Sequence, residues 1–217
     1  GIDDLYDSLK KYNKRVVNRF HDMGILGHKT IAVHGIHINE AEMEILKETD
    51  TIVVHNPESN MGNAVGCAAI LKLIEKGILL GLGTDGYATD MLESYKVANM
   101  LHKHNLCDPG VAWMESAQML FDNNPAIVNR YFKKPLGIIE KGAYADLIVV
   151  DYDPLTPINE NNINGHLLFG TMGRHVVSTM INGEFVMKDR EITMVDEKEI
   201  FARSREVSQQ FWRRINA

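Results

Sequence analysis

Cysteine is scarce in this chain of 217 residues, which holds only Cys67 and Cys107. Two cysteines build neither a disulfide framework nor a paired-cysteine zinc motif, and the reducing cytosol is the default compartment for such a sequence. Long hydrophobic runs are missing as well. No stretch approaches the ~18 apolar residues of a membrane span, and no signal-peptide pattern opens the chain, so a cytoplasmic protein without a membrane partner is expected. An excess of positive charge is also absent: 23 Lys and Arg stand against 29 Asp and Glu, for a net charge of −6. Basic residues cluster only in short runs such as Lys10-Lys11 and Arg213-Arg214, a distribution that does not track a phosphate backbone and excludes nucleic acid as an expected partner. There are no internal repeats and no low-complexity tracts. What is present, 45% apolar and 24% charged residues, is the composition of an ordinary globular protein with enough length for a real core. The chain opens at Gly1, without a methionine and directly in a helical pattern, as a fragment or a tag scar would.

Ile2, Leu5, Leu9, Tyr12, Val16, Phe20 and Met23 recur at helical spacing with Gly24 at the stop, which predicts one amphipathic helix. "TIAVHGIH" (30–37) reads as a strand, and Asn39 with Glu42 as a capping box opening a helix to about Thr49. "TIVVHNP" (51–57) is a second strand, "AVGCAAILKLIEKG" (64–77) a helix stopped by Gly77, and "ILLGLGTDG" (78–86) a third strand with its loop. Asp90 and Glu93 form a second capping box before a helix to about His104. Strands alternating with helices through short loops imply parallel βαβ units. Two more helical stretches follow Pro109, and the pattern changes near Pro135. From there "ADLIVVDYD", "HVVSTMING" and "EFVMKD" are β-rich, Asn182-Gly183 is a two-residue hairpin turn, and Ile200, Ser204, Val207, Phe211 and Ile215 mark a final amphipathic helix.

Each of the three N-terminal strands ends in polar residues: His34 and His37, then His55-Asn56 with Ser59-Asn60, then Thr84-Asp85. In parallel α/β folds the carboxyl ends of the strands converge on the ligand site, so this shared placement points to function. A lone strand-end histidine is more often structural, and Asp in "GTDG" is often only a turn former. Asp90 supplies the helix cap, however, which leaves Asp85 without that local role, and Gly83 and Gly86 are expected to leave room around it. Gly81-Leu82-Gly83-Thr84-Asp85-Gly86 also fits the G-x-G-x-x-G dinucleotide pattern. That fingerprint should open its helix inside the glycine loop and be followed ~20 residues on by a strand-end acid. Here the helix starts only after Asp90, and the region near Asn105 is a helix end. A nucleotide-binding oxidoreductase therefore rests on glycine spacing alone.

Taken together, "AVHGIHINEAEMEIL", "VVHNPESNMGNAVG", "GILLGLGTDGYATD" and "GIIEKGAYADLIVVDYDP" resemble, in order and spacing, the C-terminal half of the amidohydrolase superfamily. The branch is that of cytosine/guanine/S-adenosylhomocysteine deaminases and atrazine chlorohydrolase, and "SNMGNAVGCA" and "NINGHLLFG" resemble its SsnA-type aminohydrolases. The resemblance implies an α/β fold: the C-terminal part of a (β/α)8 barrel, strands 6 to 8 (residues 1–134), part of a small composite β-sandwich (135–195) and a C-terminal amphipathic helix (196–217). It implies a divalent metal, Zn²⁺ or Fe²⁺, with Asp85 as a ligand that also moves a proton from the attacking water to the leaving group. His34 matches a histidine that hydrogen-bonds the substrate or the attacking group. His37, His55, Asn56, Ser59, Asn60 and Thr89 fall where the pocket is shaped or the substrate is contacted. The family's H-x-H motif and its strand 5 histidine have no counterpart here, and Gly35 stands where relatives commonly carry Cys. The implied reading is a metal-dependent aminohydrolase acting on a small molecule. As a C-terminal fragment it is expected to be inactive alone, with the missing barrel half as partner and homo-oligomers as a further possibility. The alternative is a half-barrel binding or assembly module without metal.

Overall fold

The computed structural model describes residues 1–216. Two helices, α1 (Ile2–Tyr12) and α2 (Val16–Asp22), replace the single helix expected over the first turn-rich stretch. Asn13 adopts a left-handed φ of 51° and ends α1, a conformation that Asn tolerates better than most side chains. A three-stranded parallel sheet follows, in the order β1 (Ile31–Val33), β2 (Ile52–His55), β3 (Leu80–Leu82), with Ile31 opposite Ile52 and Val53 opposite Leu80.

Between β1 and β2 lies α3 (Glu40–Glu48), opened by the reciprocal Asn39–Glu42 capping box that the sequence announces. Between β2 and β3 the structure departs from expectation. Helix α4 (Pro57–Gly62) starts immediately after β2, where Pro57 is preorganised for a first helical turn, and the next helix, α5, covers only Ile70–Glu75. Ala64 and Gly66 sit at φ 52° and 109°, values that no α-helix contains, so 64–69 cannot join it. Asp90 then caps α6 (Met91–Leu106) through the N–H groups of Leu92 and Glu93.

Helices α7 (Trp113–Ala117) and α8 (Asn124–Val128) are joined without a break by a π-helical turn, Gln118–Asn123. A second sheet is antiparallel, in the order β4 (Leu147–Val150), β5 (Val176–Ile181), β6 (Glu184–Lys188), β7 (Glu191–Ile192). Asn182 and Gly183 turn the β5–β6 hairpin with positive φ at both positions, as a two-residue type I′ loop requires. Between β4 and β5 lie a short helix α9 (Ile163–Gly165) and a π turn, His166–Gly170. The last element, α10 (Glu197–Ile215), buries none of its residues, so its apolar face is open.

The core gathers on the parallel sheet. Leu46, Val53, Ile70, Leu73, Leu80, Tyr95 and Met119 are at most 1% exposed in one cluster, each large aliphatic one contributing ~1.5–3 kcal/mol of burial. Leu168, from the π turn after α9, belongs to that cluster. Asp90 links the two regions by accepting from the Gly173 N–H at 2.7 Å. The strand ends are thus fixed from below by packing, and their polar residues are left at one rim.

Candidate active site

The β1–β2 ladder runs one residue past β1, because the His34 N–H donates to the Val54 carbonyl at 2.9 Å. The chain then turns sharply at His34 and Gly35, with φ of 74° and 59°. Asp85 lies beyond β3, also in the left-handed region, at φ 56°. For non-glycine residues that conformation costs on the order of 1 kcal/mol, and such outliers concentrate where a side chain must be aimed.

The two side chains are aimed at each other. His34 Nε2 stands 3.5 Å from Asp85 Oδ2, with both side chains 40% exposed. Residues of α4 hold them. The His34 Nδ1–H donates to Asn60 Oδ1 at 2.8 Å, which leaves Nε2 as the ring atom that faces Asp85 and the cavity. The Ser59 hydroxyl donates to Asp85 Oδ2 at 2.7 Å, and Asn63 Nδ2 donates to Ser59 Oγ at 3.3 Å, completing a short relay. Asp85 Oδ1 accepts from the Gly86 N–H at 2.6 Å. The Ser59 hydroxyl first, then this N–H and finally His34, hold the Asp85 carboxyl below its ordinary value.

A cavity of about 780 Å³ opens beside this group. His34, His37, Ser59, Asn60, Asn63 and Asp85 form its polar wall, and Leu5, Val16, Phe20, Leu26 and Val33 contribute apolar surface. His37 keeps its Nε2 on the Val65 carbonyl at 2.9 Å.

His55 and Asn56 are not at that surface. They are 0% and 3% exposed and absent from the cavity wall. His55 Nε2 meets His102 Nε2 at 3.0 Å, and His102 Nδ1 lies 3.5 Å from Cys67 Sγ. Burial first, and then the neighbouring imidazole of His102, lowers His55 to about 3, while burial lowers His102 to about 4. Both rings are therefore neutral at pH 7, one donating and the other accepting. Thr89 is exposed and outside the cavity wall.

The glycines of "GLGTDG" serve packing. A Cβ on Gly81 would lie 2.5 Å from both Asn124 Oδ1 and Ile127 Cδ1, and one on Gly83 would lie 2.3 Å from Asn56 Oδ1 and 2.9 Å from Val54 Cγ1. Gly83 therefore leaves no room for a ligand beside Asp85, contrary to the expectation from sequence, whereas the space at Gly86 is open. Helix α6 begins five residues after Gly86, so no helix N-terminus opens within the glycine loop.

Among the described residues no three His, Cys, Asp or Glu side chains converge as a metal shell. Zinc sites take four donors, at least three of them from protein in catalytic centres. The donors present therefore fit one corner of such a shell, the Asp85 carboxylate beside His34 Nε2, and do not complete it.

Sequence reading did not single out His102, Asn63 or the pair Asn123-Asn124. His102 shares its helix face with Tyr95, Ala98 and Asn99, all buried, and was legible only as part of an apolar stripe.

A family model described as the amidohydrolase family matches residues 2–186. The chain belongs to that family. It is 34% identical over 207 residues to a 5-methylthioadenosine/S-adenosylhomocysteine deaminase of Syntrophomonas wolfei, covering 93% of this chain and 48% of that protein. It is also 34% identical over 213 residues to a 5′-deoxyadenosine deaminase of Methanopyrus kandleri, covering 96% and 49%. Among solved structures, an adenosine deaminase from Xanthomonas campestris with bound zinc superposes with a TM-score of 0.84 at 26% identity, over 96% of this chain and 48% of that one. A zinc complex of atrazine chlorohydrolase from Arthrobacter aurescens shares the fold, with a TM-score of 0.77 at 18% identity over 94% and 46%. The chain spans about half the length of the curated relatives it matches.

Proposed function

We propose that this chain is the C-terminal half of a metal-dependent aminohydrolase, one that replaces the amino group of a heterocyclic or cyclic amidine substrate with oxygen. In this reading β1, β2 and β3 are strands 6 to 8 of a (β/α)8 barrel, residues 135–195 belong to a composite β-sandwich, and the remaining strands and metal donors come from the other half. The observation that carries it is the convergence of His34, Ser59, Asn60 and Asp85 from the ends of three parallel strands onto one cavity wall. The scarcity of cysteine favours the cytoplasm for it.

The metal, zinc before iron, supplies an acidified water and charge stabilisation when bound. Asp85 gives it one carboxylate. The same carboxylate, held ionised by Ser59 and Gly86, accepts a proton during attack and delivers it to the departing amine, a role worth ~10²–10⁴ in rate. His34, with its Nδ1 proton tied to Asn60, works through Nε2 alone, placed to hydrogen-bond the group that attacks or the oxygen that becomes charged. His37, on the cavity wall, is a further contact to substrate, whereas Thr89 lies outside that wall and is given no contact, and His55 and Asn56 lie buried behind the strand end.

The test expresses this chain together with its upstream reading frame, measures bound metal, and screens 5′-deoxyadenosine, adenosine and S-adenosylhomocysteine for ammonia release. Turnover that needs the metal and is lost in Asp85→Asn supports the reading. A metal-free protein that releases no ammonia rejects it in favour of a binding or assembly module, and ammonia release that survives Asp85→Asn rejects the role given to Asp85.

A further inference from the structure

The two outer edges of the parallel sheet are treated differently. At β1 the outer edge is bare around Ile31, which is 44% exposed. At β3 the outward-pointing groups are the N–H and carbonyl of Leu80 and of Leu82, since Leu79 and Gly83 bond inward to Val53 and His55. Three of these four groups are taken by side-chain amides. Asn123 Nδ2 donates to the Leu80 carbonyl at 2.7 Å, the Leu82 N–H donates to Asn124 Oδ1 at 3.0 Å, and Asn124 Nδ2 donates to the Leu82 carbonyl at 2.9 Å. Asn124 thus bonds both the N–H and the C=O of Leu82 with one side chain.

Local structure is built for this contact. The Asn124 N–H reaches back to the Met119 carbonyl, an i to i−5 bond, at the junction of the π turn and α8. Pro125, next in sequence, has no N–H and its ring crowds the carbonyl four residues earlier, which favours the widened turn. Opposite it, β3 carries Gly81, where any Cβ would collide with Asn124 Oδ1. Inward, the Gly83 N–H donates to the His55 carbonyl at 2.9 Å. Leu82 and Gly83 are therefore anchored from opposite sides, and Asp85 follows two residues later.

We propose that Asn124 is a positioning residue for Asp85: its amide clamps the N–H and carbonyl of Leu82 and fixes the strand end from which the Asp85 carboxylate is aimed at His34. The catalytic weight of this aim rests on the reading of Asp85 given above. Asn suits the position because it carries donor and acceptor on one short arm. Asp keeps the acceptor for the Leu82 N–H and loses the donor, Leu loses both, and Gln carries both on an arm one methylene too long.

Amide hydrogen exchange on this chain tests the clamp without any turnover. In the wild type the Leu82 N–H and the Gly86 N–H, which reports on Asp85 Oδ1, are both expected to be protected. Asn124→Leu is expected to speed both by at least about tenfold while Val53, bonded on the β2 side, keeps its rate. Asn124→Asp is expected to keep Leu82 protected. In the preparation used for turnover, Asn124→Leu should lower kcat by about 10–100-fold with KM nearly unchanged, as loss of an outer hydrogen-bond partner does at metal centres. A freely exchanging Leu82 N–H in the wild type overturns the proposal, even if Asn124→Leu fails to fold. So does an unchanged Gly86 rate, or an unchanged kcat, when Leu82 is released. If Asp85→Asn retains full activity, the reading of Asp85 fails, and the exchange rates at Leu82 and Gly86 still decide whether Asn124 holds residue 85 in place.

Discussion

His34 and Asp85, at the mouth of the cavity, face each other at 3.5 Å with two-fifths of each side chain in solvent, while His55 and His102 meet at 3.0 Å with almost none. The first pair stands at the carboxyl ends of β1 and β3, the second joins the end of β2 to helix α6, and both use histidine. The difference is what each can do with a proton. At the mouth, water reaches both groups, and the His34 nitrogen left unbound by Asn60 faces the Asp85 carboxylate. Beneath, burial holds both rings neutral, and the pair acts as a polar pin between β2 and α6. Histidine identity alone separates neither role, and depth decides between them.

The largest expected effect comes from exchanging the functions. Asp85→Asn keeps a side chain that tolerates the left-handed backbone and lies two-fifths exposed, so unfolding free energy should change by less than ~1 kcal/mol. The same substitution should remove ~10²–10⁴ of kcat/KM in the complete enzyme, a loss of rate without loss of fold. His102→Ala should do the reverse. It leaves His55 Nε2 buried without a partner and opens a void in the core, for a destabilisation of ~2–4 kcal/mol by urea denaturation. His34→Asn, in the mouth, should stay within ~0.5 kcal/mol of the wild type in that assay. Equal stability losses at His34 and His102 would erase the distinction.

Acid titration sharpens it next. Folded His55 and His102 lie near 3 and 4, below the ~6.5 of an unfolded chain, so the unfolded state takes up protons first. Their contribution is fully present above pH ~6.5 and is lost as pH falls from there toward 3 to 4, at on the order of 1 kcal/mol per pH unit for each ring. Urea midpoints between pH 7 and 5, above the ordinary carboxylate range, should fall steadily. A flat profile there would mean that the buried pair accepts protons as readily as an exposed one.

Much of the scaffold was legible because its signals are local. Asn39 with Glu42, Gly77 and Asn182-Gly183 each act within a few residues, and each does in the structure what its spacing implies, whereas Asp90 caps α6 alone, without the reciprocal Glu93 bond of the expected capping box. The helix expected over 64–77 failed on the backbone of Ala64 and Gly66, which apolar periodicity does not register. The site was legible as strand ends, since His34, Ser59, Asn60 and Asp85 are polar residues interrupting apolar runs. Their connections were not. That Asn60 ties His34, that Ser59 ties Asp85 and that Asn124 ties Leu82 are contacts across 26, 26 and 42 positions, set by packing and by a π turn. His102 was hidden for the opposite reason, because a buried neutral imidazole at helical spacing looks like any core residue.

The smallest expected effect falls on the glycines that first suggested a phosphate cradle, and here the mouth and the packed interior part company within four residues. At Gly83 a methyl group would meet Asn56 Oδ1 at 2.3 Å and Val54 Cγ1 at 2.9 Å, both on elements that hold the strand end. Gly83→Ala should therefore cost ~1–3 kcal/mol as an overpacking substitution. At Gly86 nothing lies within 4 Å and φ is not in the left-handed region, so alanine enters without strain. The unfolded chain loses freedom when alanine replaces glycine, so Gly86→Ala should be neutral or stabilising by up to ~1 kcal/mol. A cradle would demand the opposite order, with Gly86 intolerant because backbone must approach a ligand there. Paired urea melts of Gly83→Ala and Gly86→Ala decide between them, and equal losses at both positions would show that the loop is packed as tightly as the strand behind it.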